Sequence, residues 1–366
     1  MKKKAILIGI FSLLMLKAFS SETESMKFVK NLGIGYNWGN TFDVVGGGVN
    51  GFEIGWGAPI STKEMFEDLK SRGITTIRLP VAWSRGMAED NKIDENVAAR
   101  VNEVVDYAIN SGLYVILNIH WDGGWINDPN SGFTKDWKGC MDKYVSIWNQ
   151  LCERYKNYDE HLIFESLNEE GCFDNVWSRY SGGNKKTAFE VLNRINQTFV
   201  NTVRQSSGKN KKRYLLIAGY ATDIECTCAP EFRMPQDKIN RCMISVHYYT
   251  PSTFAILEED ASWGKVRKTW GTEEDYAELK KNLEMMKKTF QDKGIPVIIG
   301  EYGTVIKGKE VESVRRYLTA VAESSYDLGF CPVLWAGATD IYNRRELKFD
   351  DEEIGQMYKR LSEKKR

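Results

Sequence analysis

The chain has 366 residues, 42% of them hydrophobic and 12% aromatic, enough apolar mass to bury one large core. Fifty Lys and Arg balance fifty Asp and Glu, which excludes a basic field for a polyphosphate, so nucleic acid is not an expected partner. Length alone suggests more than one domain, but α/β barrels run past about 250 residues as one unit, so the order of elements has to decide.

Residues 1–20 read as a secretory signal: Met1-Lys2-Lys3-Lys4, the apolar run Ala5 to Leu16, then Ala18-Phe19-Ser20. The mature chain is expected to begin near Ser21, so that 21–366 form one secreted domain. The apolar run is short for a membrane span, and no later segment has the roughly 18 uncharged apolar residues a span requires. No membrane partner is expected once the signal is removed, the alternative being a retained N-terminal anchor. No Cys lies near Ser20 to carry a lipid.

From there, short β-rich runs alternate with longer amphipathic stretches. The expected strands are Gly33 to Asn37, Thr75 to Pro80, Leu113 to His120, Leu162 to Asn168, Tyr214 to Ala218, Cys242 to Tyr248, Pro296 to Tyr302 and Cys331 to Trp335. Their apolar runs are continuous, as suits strands covered on both faces. The expected helices are Lys63 to Ser71, Glu95 to Asn110, Asp136 to Tyr155, Thr187 to Arg204, Glu273 to Gln291 and Glu310 to Ser324; the crossover near Pro230 to Ile239 is weak, and Asp350 to Arg366 reads as a closing helix with a charged tail. Gly73, Gly112, Gly294 and Gly329 stand where left-handed helix C-caps belong. Eight such units predict a single-domain (β/α)8 TIM barrel. The rival is an open doubly wound sheet, since Gly46 to Gly51 formally fits a G-x-G-x-x-G pattern. More glycines and Pro59 follow instead of a helix, so the segment reads as a loop.

The seven Cys make no disulfide framework, and an odd number leaves at least one free thiol. Cys226-Thr227-Cys228 is too tight for a usual zinc pair and the chain has three His, so no metal is expected. The same shortage argues against a metal-dependent barrel hydrolase.

In a barrel, functional groups project from the C-terminal ends of the strands. The ends here carry Asn37 and Asn40, Arg78, His120 and Trp121, Asn168 and Glu169, His247 and Tyr249, Glu301, and Trp335. Taken singly, each could be a satisfied core group or a solvated loop residue. Taken together, Glu169 and Glu301 place two carboxylates at one mouth, which glycosidic cleavage requires. Arg78, costly to bury alone, needs a carboxylate partner and would keep an adjacent nucleophile ionised. Alternation puts His247 and Tyr249 on one side, and Gly300 and Gly303 flank Glu301 as if to admit a ligand. Eleven Trp supply platforms for sugar rings.

These stretches carry a resemblance. Gly35-Tyr36-Asn37-Trp38-Gly39-Asn40-Thr41, Thr76-Ile77-Arg78-Leu79-Pro80, Asn118-Ile119-His120, Phe164-Glu165-Ser166-Leu167-Asn168-Glu169, Val246-His247-Tyr248-Tyr249, Ile299-Gly300-Glu301-Tyr302-Gly303 and Trp335, in this order, are similar to glycoside hydrolase family five, the cellulase family, from about Val29 to Tyr358. The resemblance implies an endo-acting retaining β-glycanase of the endo-β-1,4-glucanase kind, with Glu301 as nucleophile, Glu169 as acid/base and no cofactor. It implies that Asn168 binds the sugar 2-hydroxyl, that Arg78 and Tyr249 orient Glu301, and that His247 tunes Glu169. His120, Asn40 and the Trp335 platform would contact the same sugar, and Trp263 would line the leaving-group side. The departures are Trp121 where many relatives have His, Glu170 where Pro commonly follows, and Ala336 after Trp335; Trp121 then suggests stacking in place of a polar contact. Glu165 should point away from Asn168 or be paired within the barrel. The expected partner is a β-glucan, cellulose-like or mixed-linkage, met by a monomer through an open cleft; xyloglucan and mannan are the enzymatic alternatives. A sugar-binding barrel without activity is the alternative of another class.

Overall fold

The computed structural model describes residues 23–46, 51–171, 173, 175–337 and 340–364. The expected signal, residues 1–20, the start near Ser21, Cys172 and part of the Gly46 to Gly51 loop lie outside the described residues. All eight expected strands form: β1 (Gly35–Asn37), β2 (Thr76–Leu79), β3 (Tyr114–Asn118), β4 (Leu162–Glu165), β5 (Leu215–Ala218), β6 (Cys242–Tyr248), β7 (Val297–Tyr302) and β8 (Cys331–Leu334). Each pairs in parallel with its neighbours and β8 returns to β1, through Gly35 opposite Val333 and Tyr36 opposite Leu334, so the sheet closes. The fold is a (β/α)8 barrel.

Several strands stop short of their apolar runs. His120, Asn168, Glu169 and Trp335 lie beyond the last paired residue. The His120 and Trp335 N–H groups still donate to the Val81 and Tyr302 carbonyls at 2.9 and 2.7 Å, whereas the Asn168 N–H turns to the Glu170 carboxyl. The helices are α1 (Glu24–Leu32), α2 (Lys63–Ser71), α3 (Glu95–Asn110), α4 (Trp137–Arg154), α5 (Lys185–Gln205), α6 (Glu273–Thr289), α7 (Val311–Asp327) and α8 (Glu352–Glu363). After β5 the chain makes only the short turns Tyr220–Thr222 and Ile224–Thr227 before an irregular return, as the weak pattern there suggested. Gly73, Gly112, Gly294 and Gly329 all have positive φ, as expected of C-caps.

Alternation along the strands separates two cores. Val115, Leu117, Leu162, Phe164, Leu215 and Ile217 pack outward with the helices in one cluster. Ile116, Ile163, Leu216, Met243, Ile298 and Val333 form the other, inside the barrel. Helix α1, which the sequence pattern does not announce, closes this inner core with Phe28, Val29 and Leu32. Thr23 caps it by accepting the Met26 N–H at 3.2 Å. The six described Cys are free thiols, five of them buried. Among the described residues no helix is long and apolar enough to cross a membrane.

Leu32 is fully buried beneath the inner core, remote from the residues beyond the strand ends. Leu32→Ala should cost about 2–5 kcal/mol in urea unfolding while leaving turnover by the folded enzyme unchanged.

Candidate active site

Above the apolar layer the barrel interior turns polar, and Arg78 organises it. Its side chain is fully buried at the end of β2. Nε donates to Glu165 Oε2 at 2.6 Å, Nη1 to Glu301 Oε1 at 2.7 Å and to Asn37 Oδ1 at 3.0 Å, and Nη2 to Asn168 Oδ1 at 2.8 Å. One guanidinium therefore ties together β1, β4, β7 and the residue three beyond β4. Burial alone would lower the Arg78 pKa, but Glu165 and Glu301 hold it above its ordinary value. Glu165 is the carboxylate paired within the barrel; Ser245 Oγ donates to its other oxygen at 3.0 Å.

Glu301 also accepts from Tyr249 Oη at 2.9 Å on Oε2, and His247 Nδ1 stands 3.5 Å from the same oxygen. His247 and Tyr249 thus share a side, as alternation required. His247 Nδ1 lies 2.7 Å from Glu169 Oε1. Gly300 and Gly303 are hemmed in by the protein's own groups, a use of glycine the sequence did not suggest. A Cβ at Gly300 would lie 2.6 Å from Ser245 Oγ and 3.2 Å from His247 Nε2, and one at Gly303 would lie 2.4 Å from the Trp335 carbonyl oxygen. The glycines make room for the protein's own site groups.

Burial pushes both candidate carboxyls up. For Glu301, His247, Arg78 and the Tyr249 hydrogen bond pull downward while Glu169 adds to the rise; for Glu169, Arg78 alone pulls downward. The expectation that Arg78 keeps the nucleophile ionised therefore has burial set against it at Glu301. The asymmetry lies in the partners: Glu301 accepts two direct hydrogen bonds from Arg78 and Tyr249, whereas Glu169 has the neutral His247 and a side chain 49% open to the cleft. That exposure tempers the rise until a ligand displaces the water. Burial lowers His247 to about 4 although Glu301 opposes it, so its ring carries one proton at neutral pH. Among the described residues Nε2 has no partner while Nδ1 faces the Glu169 carboxyl at 2.7 Å, an arrangement that favours the proton on Nδ1.

Two further side chains have fixed faces. The Val81 N–H donates to Asn118 Oδ1 at 3.2 Å, so Asn118 Nδ2 is the group 3.3 Å from His120 Nδ1. His120 therefore accepts on Nδ1 and presents Nε2–H. Its ring stacks on Trp335, with centroids 5.6 Å apart and planes 4° from parallel. Asn168 Oδ1 is taken by Arg78, leaving its amide N–H group to donate to a ligand.

Asn40, His120, Asn168, Glu169, Tyr249, Glu301 and Trp335 line one cleft of about 450 Å³, together with Ile256, Thr304, Gly337 and Asp340. Asn40 sits in a left-handed turn (φ 56°), its N–H donating to Asp43 at 3.1 Å. Trp121 is half exposed just beyond His120, outside this lining. Trp263 is 60% exposed near the turn that bridges Ala261 and Gly264; Ala255 and Ile256, from the same loop, line the cleft in its stead. Sequence reasoning misses Ile256 and Asp340, whose types carry no signal, and the buried Glu170. Glu169, His247 and Glu301 each offer one ligand atom within 4.8 Å of the others, a spacing a cation could use. Such a cation would stand against a carboxylate that already takes the Arg78 guanidinium and the Tyr249 hydroxyl.

A family model described as cellulase, glycosyl hydrolase family 5, matches residues 39–336. Endoglucanase A of Clostridium longisporum is 35% identical over 310 residues, 82% of this chain; the chain spans 58% of that protein's length. A broad specificity endoglucanase (GH5-4) from an uncultured bovine rumen ciliate superposes with TM-score 0.82 at 35% identity, covering 93% of this chain and 98% of that one. A family GH5 lichenase from Caldicellulosiruptor sp. F32 does so with TM-score 0.84 at 32% identity, covering 93% and 96%.

Arg78→Met leaves Glu165 and Glu301 buried without their cation. It should lower kcat/KM by about 10²–10³ or more and destabilise the fold by about 3–5 kcal/mol, read by urea unfolding alongside kinetics. Side-chain ¹⁵N NMR should find His247 neutral from about pH 7 to about pH 5, taking up its proton only near about 4.

Proposed function

The chain belongs to glycoside hydrolase family 5, an endo-acting β-glucanase of the cellulase kind, and from that premise we propose that Glu301 and Glu169 perform a retaining double displacement on an internal β-1,4 linkage. The observation that carries this reading is spacing. One oxygen of each carboxyl lies within 4.8 Å of the other, close enough for Glu301 to reach the anomeric carbon while Glu169 reaches the leaving oxygen of the same bond, as a retaining pair requires.

In the first step a Glu301 oxygen bonds to the anomeric carbon, the bond to the leaving oxygen breaks, and Glu169 gives that oxygen its proton. His247 Nδ1–H occupies Glu169 Oε1, which leaves Oε2 to carry the proton toward substrate. In the second step Glu169 takes a proton from water, the water oxygen bonds to the anomeric carbon, and Glu301 departs as a carboxylate. Arg78 and Tyr249 stabilise that carboxylate at both oxygens. Asn168 donates to the 2-hydroxyl of the sugar being cleaved, a contact that strengthens in the transition state. His120 and Asn40 bind the same ring, and Trp335, braced by His120, stacks beneath it.

An open cleft suits a chain passing through it, and the endoglucanase and lichenase names of the relatives favour β-glucan as substrate. Trp121, half exposed at the rim, adds a stacking surface beyond His120. All the groups come from one chain, so a monomer suffices. A polymer outside the cell accords with the export signal read in residues 1–20; the mass of the secreted protein, starting near Ser21, tests that reading.

Viscosity and reducing ends, followed together on carboxymethylcellulose, barley mixed-linkage glucan, xyloglucan and glucomannan, should show a fast viscosity drop on a β-glucan that Glu301→Gln abolishes. Binding without turnover on every polymer would favour a sugar-binding barrel instead. Glu169→Ala should keep the first step on activated aryl glycosides, stall the second and recover with azide. Dialysis against EDTA should leave the rate unchanged; a loss restored by one divalent cation would contradict the scheme.

A further inference from the structure

Glu170 follows Glu169 directly, yet its side chain is turned away from the cleft and buried. Its Oε2 accepts the Asn168 backbone N–H at 2.7 Å, two residues back along the chain. The Glu170 carbonyl accepts the Ala221 N–H at 2.9 Å, which ties the turn to the segment after β5. The three residues Asn168, Glu169 and Glu170 have left the β4 ladder, so their backbone N–H groups lose strand partners inside a buried mouth. An unpaired buried N–H is costly, and something at this turn has to accept it. We propose that Glu170 is a positioning residue: its carboxyl, folded back on the N–H of Asn168, whose side chain Arg78 holds, sets the turn that aims Glu169 at His247.

The same contact gives position 170 a closing hydrogen bond that a proline there could not supply. Proline at position 170 would have no N–H to satisfy and would stiffen the turn through its ring. Glutamate leaves the turn free to flex, and its side chain closes it by a hydrogen bond instead. Burial pushes the Glu170 carboxyl up to about 8, with the N–H groups of Glu170 and Asn168 drawing it down and Glu169 and Glu165 adding to the rise. The group is then largely uncharged at neutral pH, which keeps a third negative charge away from Glu165 and Glu169. An uncharged carboxyl still accepts the Asn168 N–H through its carbonyl oxygen, and an amide can take its place.

The inference rests on Glu169 being the acid, so Glu169→Ala serves as reference. Hydrolysis is compared on an activated aryl cellobioside and on a cello-oligosaccharide whose leaving group needs a proton. Glu169→Ala should lose far more on the oligosaccharide. Glu170→Met, which keeps the volume and removes the acceptor, should show the same split in smaller measure, about 10–100-fold on the oligosaccharide and a few-fold on the aryl substrate. Glu170→Gln should stay within about threefold of the parent on both. If Glu170→Met fails a near-UV circular dichroism check, Glu170→Ala is read in the same way. Should Glu169→Ala show the split and the folded Glu170 variant lose equally on both substrates, or on neither, the positioning role is overturned alone. An oligosaccharide-specific loss in Glu170→Gln overturns it too. Absence of the split in Glu169→Ala overturns the acid assignment and this inference with it.

Discussion

The mouth of this barrel depends on one buried cation. A guanidinium with no access to water is tolerable only if its donors are met by charge and by hydrogen-bond acceptors, and Arg78 meets four side chains from three strands and one turn. Each of those partners also serves the site in a second way. Asn37 donates to the Gly300 carbonyl across the barrel at 2.9 Å, Glu165 takes Ser245, Asn168 turns its amide N–H group toward ligand, and Glu301 faces the cleft. The cost of burying the charge and the alignment of the site are therefore one constraint. A planar fork can reach these directions at once; a lysine ammonium could not.

The rest of the site follows as layers. Below Arg78 the barrel is filled with aliphatic side chains and closed by α1, so no water reaches the guanidinium from beneath. Above it, burial raises both Glu169 and Glu301, and their partners and exposure tell them apart. Two direct donors favour charge on Glu301. A neutral histidine and a half-open face let Glu169 give and take a proton. The division of labour comes from hydrogen bonds and exposure together, Glu169 being half open where Glu301 is buried.

Much of this was legible in the chain. Parallel strands covered on both faces read as unbroken apolar runs, so all eight strands could be located, and the residues beyond their last rungs were the polar and aromatic ones that line the cleft. Spacing of two identified His247 and Tyr249 as neighbours. What periodicity cannot say is which groups meet across the barrel. The pairing of Arg78 with both Glu165 and Glu301 joins residues up to 223 apart in sequence, and only the closed sheet brings them together. Glu170 stood out in the sequence only as a departure from the family's pattern, because nothing local announces a carboxyl folded back on its own turn. Gly300 signalled closeness without saying to what. Trp263 stands exposed in the expected loop, but Ala255 and Ile256 are the residues before it that border the cleft around the two carboxyls. Helix α1 escaped notice because it follows the signal-like segment with no turn to mark it off.

The most direct test of this account is to trap the enzyme with a 2-deoxy-2-fluoro cellobioside bearing a good leaving group and to map the adduct by mass spectrometry. The account requires one fluoroglycosyl group esterified to Glu301, formed in the parent and absent in Arg78→Met at equal exposure. A label on Glu169 or Glu165, or inactivation without any covalent adduct, would contradict it.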